Sequence, residues 1–169
     1  MKKILVTDDL TVINMGIDIR SKTRLIKEVV SRLEECFKPV CKLHGMNNRD
    51  QINITTCVKE ALYNAITHGN LEVDSELKKE SLELFDKKVK EKEMIEKFSQ
   101  KKVIVRYHAF SNKIDIQVED QGKGFDPAKV DFDILEPYGR GIKLIESFMD
   151  KVVWNEVGNC IYMTKYLKK

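Results

Sequence analysis

The sequence predicts an α+β fold, a two-layer sandwich with helices on one face of a mainly antiparallel sheet, and three observations lead there. Apolar residues recur at helical spacing through 25–37 and again through 58–66. Strict alternation marks strands at 12–20, 103–109 and 114–118. The later strands come as adjacent pairs around short polar turns, and pairs of that kind are antiparallel. Length allows this to be one domain, 1–169, large enough to bury a core without disulfides or structural metals.

Taken in order, Ile4 to Val6 forms a short edge strand running into a turn at Thr7-Asp8-Asp9. Ile13, Met15, Ile17 and Ile19 then alternate with polar residues as a half-buried strand. Ser21 is placed to cap a helix carrying Leu25, Val29, Val30, Leu33 and Phe37, which Pro39 is expected to break. A second helix starts near Asn48 or Asp50 and runs to Gly69, a residue suited to the left-handed position that ends helices. Between 71 and 102, Leu77, Leu82, Phe85, Val89, Ile95 and Phe98 are spaced for one or two amphipathic helices among dense Lys and Glu, a charged helical insertion with one packed face. The hairpin of 103–118 follows and delivers Glu119 and Asp120 at its end. Gly139-Arg140-Gly141 opens a last helix with Ile142, Ile145, Phe148 and Met149 on one face, and a hairpin around Gly158-Asn159 closes the chain.

Thirty Lys and Arg against 27 Asp and Glu leave a net charge of +3, too balanced to make nucleic acid or an anionic membrane the main partner. No apolar run approaches the ~18 residues of a membrane helix, and Met1-Lys2-Lys3 precedes no signal-peptide core, so a cytoplasmic location is expected. Cys36, Cys41, Cys57 and Cys160 lack zinc-type spacing and read as reduced thiols.

Three segments carry candidate chemistry. On the second helix Val58, Ala61, Leu62, Ala65 and Ile66 share an apolar arc, which leaves Glu60, Asn64, Thr67 and His68 on the opposite one. A carboxylate, an amide and an imidazole at intervals of four can aim together at a metal-bound phosphate. Asp120-Gln121-Gly122-Lys123-Gly124-Phe125 places a carboxylate and two glycines directly after a strand, and Gly139-Arg140-Gly141 precedes a helix start. Singly, each is weak and is better explained by an amphipathic helix with a polar outer face, a turn after a strand, or a flexible helix entry.

In order, Glu60-x3-Asn64-x3-His68-Gly69-Asn70, Asp120-x-Gly122-x-Gly124-Phe125 and Gly139-Arg140-Gly141-Ile142-x-Leu144-Ile145 resemble the N, G1 and G2 boxes of the histidine-kinase-like (GHKL) ATPase superfamily. Within it the chain is most similar to bacterial anti-sigma-factor serine/threonine-protein kinases, with a last helix much like Gly141 to Asp150. The resemblance implies that ATP and Mg2+ are bound. Asp120 would accept a hydrogen bond from the adenine amine, Gly122 and Gly124, with Phe125 beside them, would let backbone lie against base and sugar, and Gly139 and Gly141 would turn N–H groups toward phosphate. Arg140 would add a charged contact to the terminal phosphate or to a partner, and Asn64 would be the Mg2+ ligand. Glu60 resembles the residue that orients or deprotonates the attacking hydroxyl. His68 is expected to touch phosphate or bond Glu60, with packing or capping as the alternative. Residues 126–138 correspond to a short lid over the nucleotide. Where many relatives carry Thr after the last hairpin glycine, this chain has Asn159.

The resemblance implies phosphorylation of an anti-sigma-factor antagonist, sequestration of a sigma factor by partner switching, and a homodimer. A nucleotide-sensing binding module without phosphate transfer is the alternative. The catalytic domain of a histidine kinase fits less well, because no histidine-bearing dimerisation helix precedes the N box.

Overall fold

The computed structural model describes residues 3–7, 10–125 and 140–167, with side chains from Met15 onward apart from residue 140. Strands β1 (Lys3–Thr7) and β2 (Leu10–Arg20) lead through a 3-10 turn (Thr23–Leu25) into helices α1 (Ile26–Leu43) and α2 (Asn48–Asn64). A π-helical turn (Ala65–Asn70) extends α2 and is followed by α3 (Leu77–Glu80), α4 (Leu82–Met94) and α5 (Glu96–Ser99). Strands β3 (Lys102–Ala109) and β4 (Lys113–Glu119), helix α6 (Arg140–Phe148) and strands β5 (Lys151–Trp154) and β6 (Cys160–Tyr166) complete the described chain.

The strands form one six-stranded sheet in the order β1-β2-β3-β4-β6-β5, and every pairing is antiparallel. Alternation explains which face is covered. Val103, Val105, Tyr107 and Ala109 are buried, while their neighbours Ile104, Arg106 and His108 lie on the opposite face. Register carries the pattern across the sheet, since Ile17 pairs with Val105, Val105 with Val118, Val118 with Ile161, and Ile161 with Trp154. A slip of one residue would expose that row. Leu33 and Phe37 from α1, Ile54, Val58 and Leu62 from α2, and Ile145 from α6 cover it from one side. The α+β sandwich expected from the sequence is the fold observed.

Helix α2 lies between α1 and α6, so its apolar arc and its polar arc face different surroundings. Its first turn is capped by the Asn47 side chain, which accepts from the Asp50 N–H at 2.9 Å. Among the described residues no helix is long and apolar enough to cross a membrane. All four cysteines are free and buried, and burial pushes the Cys57 thiol up to about 12.

Three local expectations are corrected. Pro39 does not break α1, which continues to Leu43 because Phe37, Val40 and Cys41 are all buried on its inner face, outweighing the missing N–H. Ser21 caps no helix; its hydroxyl is buried and donates to the Lys101 carbonyl at 2.9 Å. Gly69 does not take the left-handed conformation. That role falls to Glu72, with φ of 52°, after the π-helical turn.

The charged segment 71–102 packs more closely than its composition suggests. Leu71, Val73, Phe85 and Val89 are buried, whereas Leu82, Leu84 and Met94 are exposed. The Ser81 hydroxyl caps α4, and the Glu93 carboxylate binds Thr23 N–H at 2.6 Å and its hydroxyl at 2.8 Å. Phe85→Ala is therefore expected to cost about 3–5 kcal/mol in urea unfolding, against less than ~0.5 for Leu82→Ala. Equal small effects would mean that α4 is not part of the cooperative core.

Candidate functional site

The site is built around the end of α2. The π-helical turn adds a residue to the last winding, and the Leu71 N–H reaches back five residues to the Ile66 carbonyl at 2.9 Å. The turn shifts the faces. Thr67, expected on the polar arc, is fully buried and its hydroxyl donates to the Tyr63 carbonyl at 2.8 Å. Glu60, Asn64 and His68 remain only partly buried.

Gly69 meets the Asp120 carboxylate. A Cβ on Gly69 would collide with the carboxylate carbon, and one on Gly122 would collide with the Gly69 carbonyl. Two glycines thus let the helix end, the strand end and the loop after β4 share one small volume. The next residue, Asn70, ties these parts together although it is fully buried. Its carbonyl oxygen accepts from Gln121 N–H at 2.7 Å, and its amide nitrogen donates to the Ser21 hydroxyl at 2.8 Å and the Lys102 carbonyl at 3.0 Å.

Asp120 is the acidic group of this end. It accepts from Gly122 N–H at 2.7 Å, and burial, against the pull of that bond and of Lys101, raises its pKa from 3.8 to about 6. Its backbone is braced from the residue before β6: Asp120 N–H donates to the Asn159 carbonyl at 2.9 Å, and the Asn159 side-chain amide donates to the Asp120 carbonyl at 2.9 Å. Gly124, with φ of 73°, lies against the Val157 carbonyl, and Gly158, with φ of 78°, against that of Phe125. Phe125 itself meets Trp154 edge-on at 6.1 Å.

At the other end, Gly141 in the first turn of α6 faces Glu60 and Asn64. A Cβ there would lie 2.7 Å from Glu60 Oε2 and 3.6 Å from Asn64 Nδ2. A carboxylate and an amide thus stand beside a helix N-terminus, where backbone N–H groups and the helix dipole favour an anion. Gly139 and the proposed lid, 126–138, lie outside the described residues, and only the backbone of Arg140 is described.

His68 does not bond Glu60. Its Nδ1 faces the Val73 carbonyl at 2.7 Å and its Nε2 the Lys78 ammonium at 3.2 Å. Burial, then the Lys78 charge, lower its pKa, so the ring is neutral near pH 7. The structure therefore brings Glu60, Asn64 and Gly141 together at one end, and Asp120, Gly122 and Gly69 at the other. Sequence reasoning left out Gly69, Asn70 and Lys78 as site residues. The first two were visible as the residues after His68; Lys78 had no signal among many lysines.

Two expectations test this geometry. A carboxyl pKa raised by folding contributes stability below its unfolded value, near 4, that is lost as pH rises through about 6. Asp120→Asn is expected to remove that loss and to make the unliganded protein more stable by roughly 3 kcal/mol at pH 7.5, with little gain at pH 4, in urea unfolding at both pH values. Gly69→Ala is expected to destabilise by about 1–3 kcal/mol, since the methyl group displaces the Asp120 carboxylate. A fully stable Gly69→Ala protein would contradict the close approach.

Comparison with known proteins follows the same lines. The model of the histidine kinase-like ATPase domain matches residues 22–165. Serine-protein kinase RsbW of Staphylococcus aureus (strain JH9) is 38% identical over 77 residues, covering 38% of this chain and 48% of that protein. Its counterpart from Staphylococcus epidermidis is 37% identical over 75 residues, covering 37% and 47%. The chain thus spans about half the length of the curated relatives it matches. With the family model matching from the residues just before α1 into β6, well over half of the chain, the chain belongs to the histidine kinase-like ATPase domain family.

Proposed function

We propose that this protein is an ATP- and Mg2+-dependent serine/threonine-protein kinase of the anti-sigma-factor type. The observation that carries the reading is the placement of Glu60 and Asn64 beside the N-terminus of α6, at the opposite end of the site from Asp120. That spacing suits a nucleotide laid with its base on Asp120 and its phosphates at α6. The relatives named serine-protein kinases support the choice of phosphate acceptor.

In this reading the Asp120 carboxylate accepts from the adenine amine, which selects adenine over guanine, and Gly122 keeps the approach to the base open. The Asn64 side-chain oxygen is the Mg2+ ligand. Among the described residues no three His, Cys, Asp or Glu side chains gather as a cage, so the fit is to a cation held by one or two protein oxygens together with phosphate and water. Magnesium bound there would neutralise phosphate charge. Glu60 accepts the proton of the incoming serine or threonine hydroxyl as its oxygen bonds to the γ-phosphorus and ADP departs. The same proposal assigns Gly139, Arg140 and His68 to phosphate binding and Phe125 to the surroundings of the base.

The proposed acceptor is an anti-sigma-factor antagonist, with a sigma factor bound in the alternative state of a partner switch. A homodimer acting in the cytoplasm is part of the same proposal. The test is transfer of labelled phosphate from Mg-ATP to a purified anti-sigma-factor antagonist protein, with Glu60→Gln alongside wild type. Glu60→Gln is expected to slow transfer by about 10²- to 10⁴-fold while ATP affinity changes only a few-fold. If wild type binds ATP and changes partner affinity between ATP and ADP but transfers no phosphate, the protein is a nucleotide-sensing switch and the kinase reading is wrong.

A further inference from the structure

The segment between α2 and β3 sends one side chain back onto α2 and its π-helical extension. Lys78, on the single turn of α3, places its ammonium 5.1 Å from the Tyr63 ring centroid and 4.4 Å from that of Phe85. It also lies 3.2 Å from His68 Nε2. Tyr63 and His68 belong to α2 and its π-helical extension, flanking Asn64.

The direction of the His68 bonds is set by its partners. A carbonyl only accepts, so the ring carries its proton on Nδ1 toward Val73; Nε2 then has a free lone pair, and the ammonium donates to it. His68 is thereby a holder for Lys78. Two aromatic faces and one imidazole fix the lysine, yet among the described residues no carboxylate lies within ion-pair distance of it; burial lowers its pKa against the opposing charges of Glu60 and Asp86. A half-buried cation costs free energy unless an anion meets it. Neighbouring lysines of the same segment are paired differently: Lys79 reaches Glu76 and Lys88 reaches Glu91, both on the exposed surface.

We infer that Lys78 is a phosphate-binding residue, an ammonium delivered by the 71–102 segment to the polyphosphate end of the nucleotide beside Glu60 and Asn64. The inference rests on the reading of this site as one for ATP. It assigns that segment a part in ligand binding and gives His68 a positioning role: the imidazole reaches the phosphate through the lysine.

The experiment compares dissociation constants of ATP and adenosine by calorimetry for wild type, Lys78→Met and Lys78→Arg, with thermal melts as a check of folding. Methionine keeps an apolar stem over Phe85 and Tyr63 while removing the charge. Lys78→Met is expected to weaken ATP by about 10- to 100-fold, leave adenosine within about 2-fold, and be largely rescued by Lys78→Arg. An unchanged ATP-to-adenosine ratio in Lys78→Met, whether both ligands weaken together or neither does, overturns the assignment. Wild type that binds adenosine and ATP equally, or binds neither, overturns the nucleotide reading as well, so the two failures are distinguishable.

Discussion

The close approach of Gly69 to the Asp120 carboxylate is the constraint on which the rest of the site depends. A hydrogen atom in place of a methyl group lets the end of a helix rest on the end of a strand. Once they touch, Asn70 falls where its amide satisfies Gln121, Lys102 and Ser21 together, joining the helical layer to three points of the sheet side. A buried amide with its partners in place is rigid, because any displacement strands polar groups away from water. Burial at this junction raises the pKa of Asp120, so the carboxylate that meets Gly69 is also the one whose titration folding shifts.

The two ends of the site are built differently. The Asp120 end is braced: one carboxylate oxygen accepts from Gly122 N–H, and both Asp120 backbone groups bond Asn159. The Glu60 end is open. Among the described residues neither the Glu60 nor the Asn64 side chain has a hydrogen bond or an ion pair. A braced carboxylate at one end and an uncommitted carboxylate and amide at the other are the arrangement on which the proposed nucleotide reading rests. Helix α2 serves both by offering its apolar arc to α1 and the sheet while its polar arc faces α6.

Much of this was legible in sequence. The alternation of β3 and β4 predicted which side chains are buried, because a strand's period is two and one face of this sheet is covered. The helical arc of Val58, Ala61, Leu62, Ala65 and Ile66 was read correctly because side-chain direction in a regular helix follows from spacing alone. Thr67 was misplaced since an extra residue in a π-helical turn rotates everything after it, and no local residue type announces such a turn. Pro39 misled for the opposite reason: its local cost is real, but three buried neighbours on the same helix outweigh it.

The sequence by itself determined the layers, the helix that carries Glu60 and Asn64, and the strand end that delivers Asp120, since these depend on periodicity. Tertiary structure alone decided what surrounds them. Asn70 as a three-way tie, Asn159 as a brace for the Asp120 backbone, and Lys78 held by His68 and two rings all join residues on different elements. Such contacts exist only after the sheet and helices have packed, and spacing along the chain carries no trace of them.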